Sequence, residues 1–231
     1  MDLSIYLAAT GAELLGMNTY SQKLAWMACQ FSSSGKGISG VPTFLPPESI
    51  LMLTDEMPIQ EHDPNQVVDG MLGAAEKLKC SAILLDFQRP ENEEAIGIAA
   101  AIVQAATLPV IISQPYGKLF SCPVLISPSP LWLPLDAHLA PWLDRQIWLE
   151  AILEDAIVTV TKDGSQYSPC VHHKETPFYN EALCVSYAVE EGEDCLRFYL
   201  HRGKEELNKL LQQANRKGVK NAVGLFQQLG K

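Results

Sequence analysis

The sequence lacks the features that mark secreted, membrane-spanning or nucleic-acid-binding proteins. Met1 to Ile5 carries no basic segment ahead of an apolar run, which argues against a signal peptide. No apolar run reaches the roughly 20 residues of a membrane span. The net charge is −10 over 231 residues, and no basic stripe with interleaved aromatic residues is present. We therefore expect neither a nucleic-acid partner nor a membrane partner.

Closely spaced cysteine pairs are also missing. The six cysteines, at positions 29, 80, 122, 170, 184 and 195, include no C-x-x-C pair. Cys170-Val171-His172-His173 is a weak metal candidate, because adjacent histidines point to opposite sides of a strand and no second ligand cluster completes a site. We expect free thiols in a reducing cytoplasm, no structural metal and no cofactor. The G-x-S-x-G and phosphate-loop spacings are absent as well.

The composition is that of an ordinary globular protein, with 47% hydrophobic and 19% charged residues. This length fits one large α/β domain that buries a substantial core. We found no internal repeat and no linker, so residues 1–231 are predicted to form a single domain.

The most informative stretch runs from Cys80 to Pro90 and reads CSAILLDFQRP. A continuous apolar run of this length predicts a strand that is buried on both faces, as in a parallel sheet covered by helices. Asp86 and Gln88 follow the apolar run and are two residues apart, so on an extended strand they point to the same side. Ligand sites of parallel α/β folds lie at this end of the strands. The stretch therefore predicts a polar site.

This stretch resembles the signature strand of the family-18 glycoside hydrolases, the chitinase-like (β/α)8 barrels. Their motif reads roughly D-G-x-D-x-D-x-E, followed by an aromatic residue and Pro. Here Ser81-Ala82 replaces the first Asp and Gly, and Leu84 replaces the middle Asp. Asp86 matches the last Asp and Pro90 matches the Pro. Gln88 stands where the family carries its proton-donating Glu.

The resemblance implies a barrel with a late β-rich region, a last helix and a closing strand. It also implies a degenerate site. In the family, the Glu protonates the glycosidic oxygen while the preceding Asp orients the N-acetyl group of the substrate. An amide such as Gln88 cannot release a proton, and Leu84 removes a neighbouring carboxylate. Leu225 or Phe226 stands where the family has a tryptophan at the sugar subsite.

The rest of the chain is consistent with such a fold. We predict an irregular TIM-barrel-like (β/α)8 domain with an antiparallel β elaboration at residues 146–201; the alternative is an open doubly wound sheet. Strands are predicted at 3–9, 38–45, 49–54, 108–113, 122–127 and 221–229, and helices at 20–31, 63–79 and 203–217. Only eight residues separate 108–113 from 122–127, which is too few for a crossover helix.

Polar and aromatic side chains after the predicted strands are the candidate ligand-binding residues. They are Asp55, Asp86, Gln88, Gln114, Tyr116, Trp132 and Phe226, with Trp142 a further candidate stacking platform. Asp86 is also the one candidate catalytic residue. The alternatives stay open: Asp86 could instead tie a neighbouring loop, the aromatic residues could anchor loops, and Asp55, Glu56 and Glu91 could be solvated carboxylates.

Three functions remain at this point. The first is a catalytically inactive glycoside-hydrolase-like barrel that binds a glycan or another small polar ligand. The second is an active hydrolase that uses Asp86 with another carboxylate. The third is an intracellular scaffold with a vestigial cleft. A cleft lined by Asp86, Gln88 and an aromatic residue would favour the first function. A second carboxyl group about 5–10 Å from Asp86, the separation found in ordinary glycosidase pairs, would favour the second. A filled barrel mouth would favour the third.

Overall fold

The computed structural model describes residues 3–15, 22–28, 41–54, 63–91 and 93–230. Eight parallel strands form a closed barrel in the order β1-β13-β7-β6-β5-β4-β3-β2. Closure joins β1 to β13, with Ser4 paired to Asn221 and Ala8 paired to Leu225. This closure confirms the predicted barrel and excludes the open doubly wound sheet. The barrel strands are β1 (Ser4–Thr10), β2 (Lys23–Ala28), β3 (Ile50–Thr54), β4 (Ile83–Asp86), β5 (Val110–Ser113), β6 (Val124–Ile126), β7 (Ile147–Glu150) and, after five further strands, β13 (Asn221–Leu225).

The five further strands form the predicted antiparallel elaboration, in the order β10-β11-β12-β8-β9. Its hairpins follow the sequence signals, because β8 and β9 join at Asp163-Gly164 and β11 and β12 flank an acidic turn. One face of this sheet packs on Leu131, in the loop after β6. The strands are β8 (Glu154–Thr161), β9 (Gly164–Pro169), β10 (Phe178–Asn180), β11 (Val185–Glu191) and β12 (Cys195–Arg202).

Helices cover the outside of the barrel. In α2 the Asp63 side chain caps the first turn by accepting a hydrogen bond from the Asn65 backbone N–H at 2.8 Å, and Pro64 occupies the first helical position. The short β5–β6 connection, residues 114–123, contains a 3-10 turn, Gln114–Tyr116, in place of a crossover helix, as the short predicted spacing implied. The helices are α1 (Gly11–Leu15), α2 (Pro64–Lys77), α3 (Glu93–Ala105), α4 (Leu135–Leu139), α5 (Lys204–Arg216) and α6 (Phe226–Leu229).

Strand β4 shows how the core is divided into two layers. Ala82 and Leu84 belong to the cluster that fills the barrel, whereas Ile83 and Leu85 belong to the outer cluster under α2 and α3. Because side chains alternate along a strand, Asp86 falls on the inner side, at the carboxyl end of the barrel. This is the end at which barrel enzymes place their sites.

Two predicted elements near the N-terminus are wrong. Within the predicted helix at 20–31, Lys23–Ala28 forms strand β2, and Val41–Leu45 of the predicted strand at 38–45 is irregular. Residues 38–40 lie outside the described ranges. The segment Leu24–Ala28 is apolar throughout and buries both faces, with Ala25 in the barrel and Trp26 in the outer layer. A continuous apolar run fits a buried strand and a buried helix equally well.

Two boundaries also differ from the prediction. The closing strand ends at Leu225, and Phe226–Leu229 forms the short helix α6. The β-rich region predicted to begin at residue 146 contributes its first strand, β7, to the barrel, so the separate sheet begins at Glu154. In the described ranges, no helix combines the length and the apolar character needed to cross a bilayer.

Candidate functional site

Asp86 and Gln88 meet at the carboxyl end of β4. The Gln88 side-chain amide donates a hydrogen bond from Nε2 to Oδ1 of Asp86. Asp86 is partly buried and pairs in register with Thr54 of β3, whereas Gln88 is exposed. The pair therefore consists of a partly buried carboxylate at the barrel mouth and an exposed amide that donates a hydrogen bond to it.

Two adjoining cavities occupy the barrel mouth. The outer one, a cleft of about 360 Å³, is lined by polar groups that include Gln88, Gln114, Ser127 and Glu150. The inner one, a recess of about 40 Å³, is lined by Asp86 and Glu150 together with apolar side chains. The recess is smaller than a sugar ring. The cleft falls within the roughly 300–1,000 Å³ typical of small-molecule sites.

Glu150 is one of the residues that line both cavities, and the sequence analysis did not identify it. It ends β7 on the same side as the inward-facing Trp148. Burial raises the pKa of the Glu150 carboxyl above its ordinary value, and the Glu154 carboxylate acts in the same direction, while a hydrogen bond with Ser127 opposes both. The segment Ile147–Glu150, an apolar run ended by a carboxylate, has the same form as Ile83–Asp86. This similarity to Ile83–Asp86 is the feature of the sequence that could have identified Glu150 as a site residue.

Gln114 and Tyr116 follow β5 but have different surroundings. Gln114 is exposed and lines the cleft. Tyr116 is 0% exposed: its ring packs edge-on against Phe87, with 5.4 Å between ring centroids, and its hydroxyl donates to the Pro90 carbonyl at 3.3 Å. A ring covered in this way presents no face for stacking on a sugar.

The candidate tryptophans also lie in different environments. Trp132 is 36% exposed and packs against Tyr167 of β9, with 5.7 Å between the ring centroids. Trp142 lines the cleft, but its side chain is nearly fully buried, and the Arg145 guanidinium lies over its ring at 5.6 Å. Trp132 is therefore the more accessible ring, while Trp142 forms part of the cleft wall.

The remaining candidates are dispersed. Phe226, in α6, packs against the outer core cluster, and Glu91 lines the cleft. Asp55 and Glu56 lie outside the described residues. His172 is hydrogen-bonded through Nε2 to the Leu200 carbonyl at 3.0 Å. No group of three or more potential metal ligands occurs among the residues that the structure describes.

A partly buried polar network supports the loop that carries Ser127. The Glu154 carboxylate accepts hydrogen bonds from the Ser129 hydroxyl at 3.0 Å and the Tyr167 hydroxyl at 2.7 Å, and the Tyr167 oxygen accepts from the Leu131 N–H at 3.1 Å. Burial, together with the bond to Glu154, raises the pKa of Tyr167 to about 12. The network thus ties the loop after β6 to the separate sheet.

Arg202 reinforces the same junction from β12. Its side chain is 1% exposed and donates from Nη1 to the Pro128 carbonyl at 2.9 Å and from Nη2 to the Leu183 carbonyl at 3.3 Å. Buried arginines require such partners because an unpaired charge inside a protein is strongly destabilising. The cleft wall formed by the β6 loop is therefore held by both Glu154 and Arg202.

Comparison with solved structures identifies the class of fold. A family-18 N-acetylglucosaminidase from Paenibacillus barengoltzii superposes with a TM-score of 0.55 at 7% identity, covering 96% of this chain and 94% of that chain. The spore cortex-lytic enzyme SleL of Bacillus megaterium QM B1551 gives a TM-score of 0.54 at 9% identity, covering 96% and 70%. SleL of Bacillus cereus gives 0.53 at 10% identity, with the same coverage.

The chain therefore has the fold of the chitinase-like (β/α)8 barrels, as the motif around Asp86 predicted. At these identities the likeness establishes the fold and leaves the reaction open. The sequence matches no protein-family profile and no curated protein sequence.

Proposed function

We propose that the protein binds a glycan in the cleft at the barrel mouth and does not hydrolyse it by the substrate-assisted route. The observation that carries this proposal is the contact between Gln88 and Asp86. Gln88 stands at the acid position of the motif, and its amide is a hydrogen-bond donor without a transferable proton. Loss of general acid catalysis costs roughly a hundred- to ten-thousand-fold in rate.

The lining of the cleft supports glycan binding. The side chains of Gln88 and Gln114 supply amide donors and acceptors, Ser127 supplies a hydroxyl, and Glu91 and Lys118 supply charges of opposite sign. Convergent groups of this kind match the hydroxyl and acetamido groups of a sugar. The similarity to an N-acetylglucosaminidase makes oligomers of N-acetylglucosamine the first ligands to test.

An active hydrolase is the second candidate, because Asp86 and Glu150 line one recess. The size of the recess argues against it. The recess, at about 40 Å³, is smaller than a sugar ring, and the larger outer cleft, in which we place the sugar, is lined by Glu150 but not by Asp86. A scaffold with a vestigial mouth is less well supported, since the cleft is open in the described part of the barrel.

Isothermal titration with N-acetylglucosamine oligomers tests the proposal. We expect the wild type to bind and Gln88→Ala to bind about three- to ten-fold more weakly, the equivalent of one hydrogen bond. Gln166→Ala is the matched control, because Gln166 is an exposed glutamine on β9, outside the cleft. The proposal fails if the wild type binds none of the oligomers or if Gln88→Ala binds as tightly as the control.

A further inference from the structure

The loop between β5 and β6, residues 114–123, forms part of the cleft wall. Three of its residues, Gln114, Pro115 and Lys118, line the cleft. In a regular (β/α)8 barrel a helix follows each strand and packs on the barrel through an apolar face. Here a 3-10 turn, Gln114–Tyr116, takes the place of that helix. The position of the β5–β6 loop therefore depends on the contacts that other segments make with it.

The turn that precedes β7 provides several of these contacts. The Arg145 N–H donates to the Trp142 carbonyl at 3.0 Å, and the Arg145 guanidinium lies over the Trp142 ring, 5.6 Å from its centroid. The guanidinium also donates from Nη1 to the carbonyls of Gly117 and Phe120. One side chain therefore holds the loop at two carbonyls, one on each side of Lys118 in the sequence.

Gly117 rests directly on the Trp142 ring. A Cβ atom at position 117 would lie 2.8 Å from Cη2 and 2.9 Å from Cζ3 of Trp142, and 3.0 Å from Cγ2 of Val124. Such distances are shorter than ordinary contacts between carbon atoms, which are about 3.5–4.0 Å. Only glycine therefore lets the loop backbone approach the ring this closely.

Tyr116 attaches the loop on its other side. Its buried ring packs against Phe87, and its hydroxyl donates to the Pro90 carbonyl. The loop is thus held by the segment after β4 and by the turn before β7. A wall that is ordered before the ligand arrives favours binding, because less conformational entropy is lost when the complex forms.

Arg145 can affect a ligand only through this loop. Its side chain is 22% exposed, and it is not among the described residues that line the cleft. Its ion pair with Asp144 is long, at 3.9 Å, and the Asp144 side chain is 76% exposed, so the pair contributes little. The guanidinium is used mainly to bind the carbonyls of the loop.

We propose that Arg145 is a positioning residue for glycan binding: with the Trp142 ring, it holds the β5–β6 loop so that Lys118 donates a hydrogen bond to the glycan. This inference rests on the proposed function and adds to it a residue that does not touch the glycan. Lys118 depends most directly on Arg145, because it lies between the two carbonyls that Arg145 binds. Its ammonium group is a donor for the hydroxyl and carbonyl oxygens of a sugar.

A double-mutant cycle separates positioning from a general loss of stability. Arg145→Met removes the donors and keeps an apolar stem, and we expect it to bind an N-acetylglucosamine hexamer about three- to ten-fold more weakly. Lys118→Ala should cost about as much in the wild type but less than about two-fold in the Arg145→Met protein, where the loop is released. Gln88→Ala changes a residue outside the loop and should cost the same in both backgrounds.

Two further variants complete the cycle. Arg145→Lys keeps a charged donor and should recover part of the affinity; it replaces Arg145→Met if that variant does not fold. Met71→Ala removes a buried side chain of α2, outside the described lining of the cleft, and should lower stability without changing affinity. Equal costs of Lys118→Ala in both backgrounds, or wild-type affinity in Arg145→Met, overturn the inference.

Amide hydrogen exchange tests the loop in the free protein. The Gly117 N–H donates to the Gln114 carbonyl at 3.1 Å, and the Leu119 N–H donates to the Tyr116 carbonyl at 3.0 Å. Both amides should exchange about ten-fold faster in Arg145→Met and in Gly117→Ala than in Met71→Ala. Unchanged rates overturn the inference even if the protein binds glycans. A wild type that binds no hexamer overturns the proposed function instead, and the exchange rates then still report whether Arg145 holds the loop.

Discussion

The amide of Gln88 donates a hydrogen bond to the carboxylate of Asp86, its neighbour two residues earlier at the end of β4. In the family motif these two positions carry an acid and the carboxylate that assists it. Here the contact joins a donor that cannot lose a proton to the carboxylate of Asp86. Under the proposed function, Gln88 helps to bind a polar ligand and supplies no proton for cleavage by the substrate-assisted route.

Restoring the acid at position 88 alone should not restore hydrolysis. We expect Gln88→Glu to show no measurable turnover of N-acetylglucosamine oligomers, because Leu84, which replaces a motif carboxylate, is completely buried in the barrel core. The measurement is reducing-end release over an extended incubation. Turnover by Gln88→Glu alone would show that the substitution at Leu84 is not limiting.

Restoring both carboxylates should cost stability. Leu84→Asp combined with Gln88→Glu loses the packing of a buried leucine, worth about 2–5 kcal/mol, and places a charge in the barrel interior. Gln88→Glu changes an exposed residue and serves as the control, with an expected change within about 0.5 kcal/mol. Urea denaturation monitored by circular dichroism measures the free energy of unfolding of the double variant and of the control. Equal stabilities would contradict the placement of Leu84 in the core.

Replacement of Glu150 should change how stability varies with pH. A carboxyl group whose pKa is raised by folding contributes stability that is present below its unfolded pKa and lost as the pH rises through the folded pKa. The wild type should therefore lose stability relative to Glu150→Gln as the pH rises above about 4.5. Urea denaturation from acid to neutral pH measures the difference, with Glu193→Gln as the control. A difference that is constant with pH would contradict the raised pKa.

Removal of the Arg202 guanidinium should weaken the junction between the barrel and the separate sheet. Arg202→Ala leaves the Pro128 and Leu183 carbonyls without their buried donors, and we expect a loss of about 3–5 kcal/mol. Arg202→Lys keeps the charge but not the forked geometry, so its loss should be smaller. Arg197→Ala, on the exposed face of β12, is the control. A loss in Arg202→Ala no larger than in this control would contradict the role of the buried guanidinium.

The cysteines should all be free. Five of them, Cys80, Cys122, Cys170, Cys184 and Cys195, are unpaired in the structure. Titration of the denatured, unreduced protein should therefore find six thiols, and four or fewer would show that a disulfide forms. In the native state Cys80 should react more slowly than Cys170, because burial raises the pKa of its thiol to about 11.

Part of the site could be predicted because it follows from a local pattern. The apolar run at Ile83–Asp86 and the two-residue spacing to Gln88 give a buried strand with polar groups at its carboxyl end, and both features depend only on neighbouring residues. The same reasoning missed Glu150. Ile147–Glu150 is followed closely by a strongly alternating β pattern, so the sequence favours the separate sheet for this segment and does not place its terminal carboxylate at the mouth.

Other features depend on distant contacts that a sequence pattern does not contain. The burial of Tyr116 results from packing on Phe87, which is 29 residues earlier in the chain and comes from a neighbouring strand end. The recess exists because closure of the barrel turns the inner faces of β4 and β7, which lie three strands apart, towards a common interior. A helix is predicted over the strand Lys23–Ala28 because apolar residues recur there at helical spacing, at Leu24, Ala25, Met27, Ala28 and Phe31. A strand that is apolar on both faces contains such a stripe as well.

The central claim is that the cleft binds a glycan and leaves it intact. In the most direct measurement, the wild-type protein is saturated with a hexamer of N-acetylglucosamine, as judged by titration. The mass of the hexamer is then followed by mass spectrometry over several days. The claim predicts a bound hexamer of unchanged mass in the wild type and weaker binding in Gln88→Ala. Shorter oligomers produced by the wild type and absent with Asp86→Ala would contradict it and identify an active hydrolase.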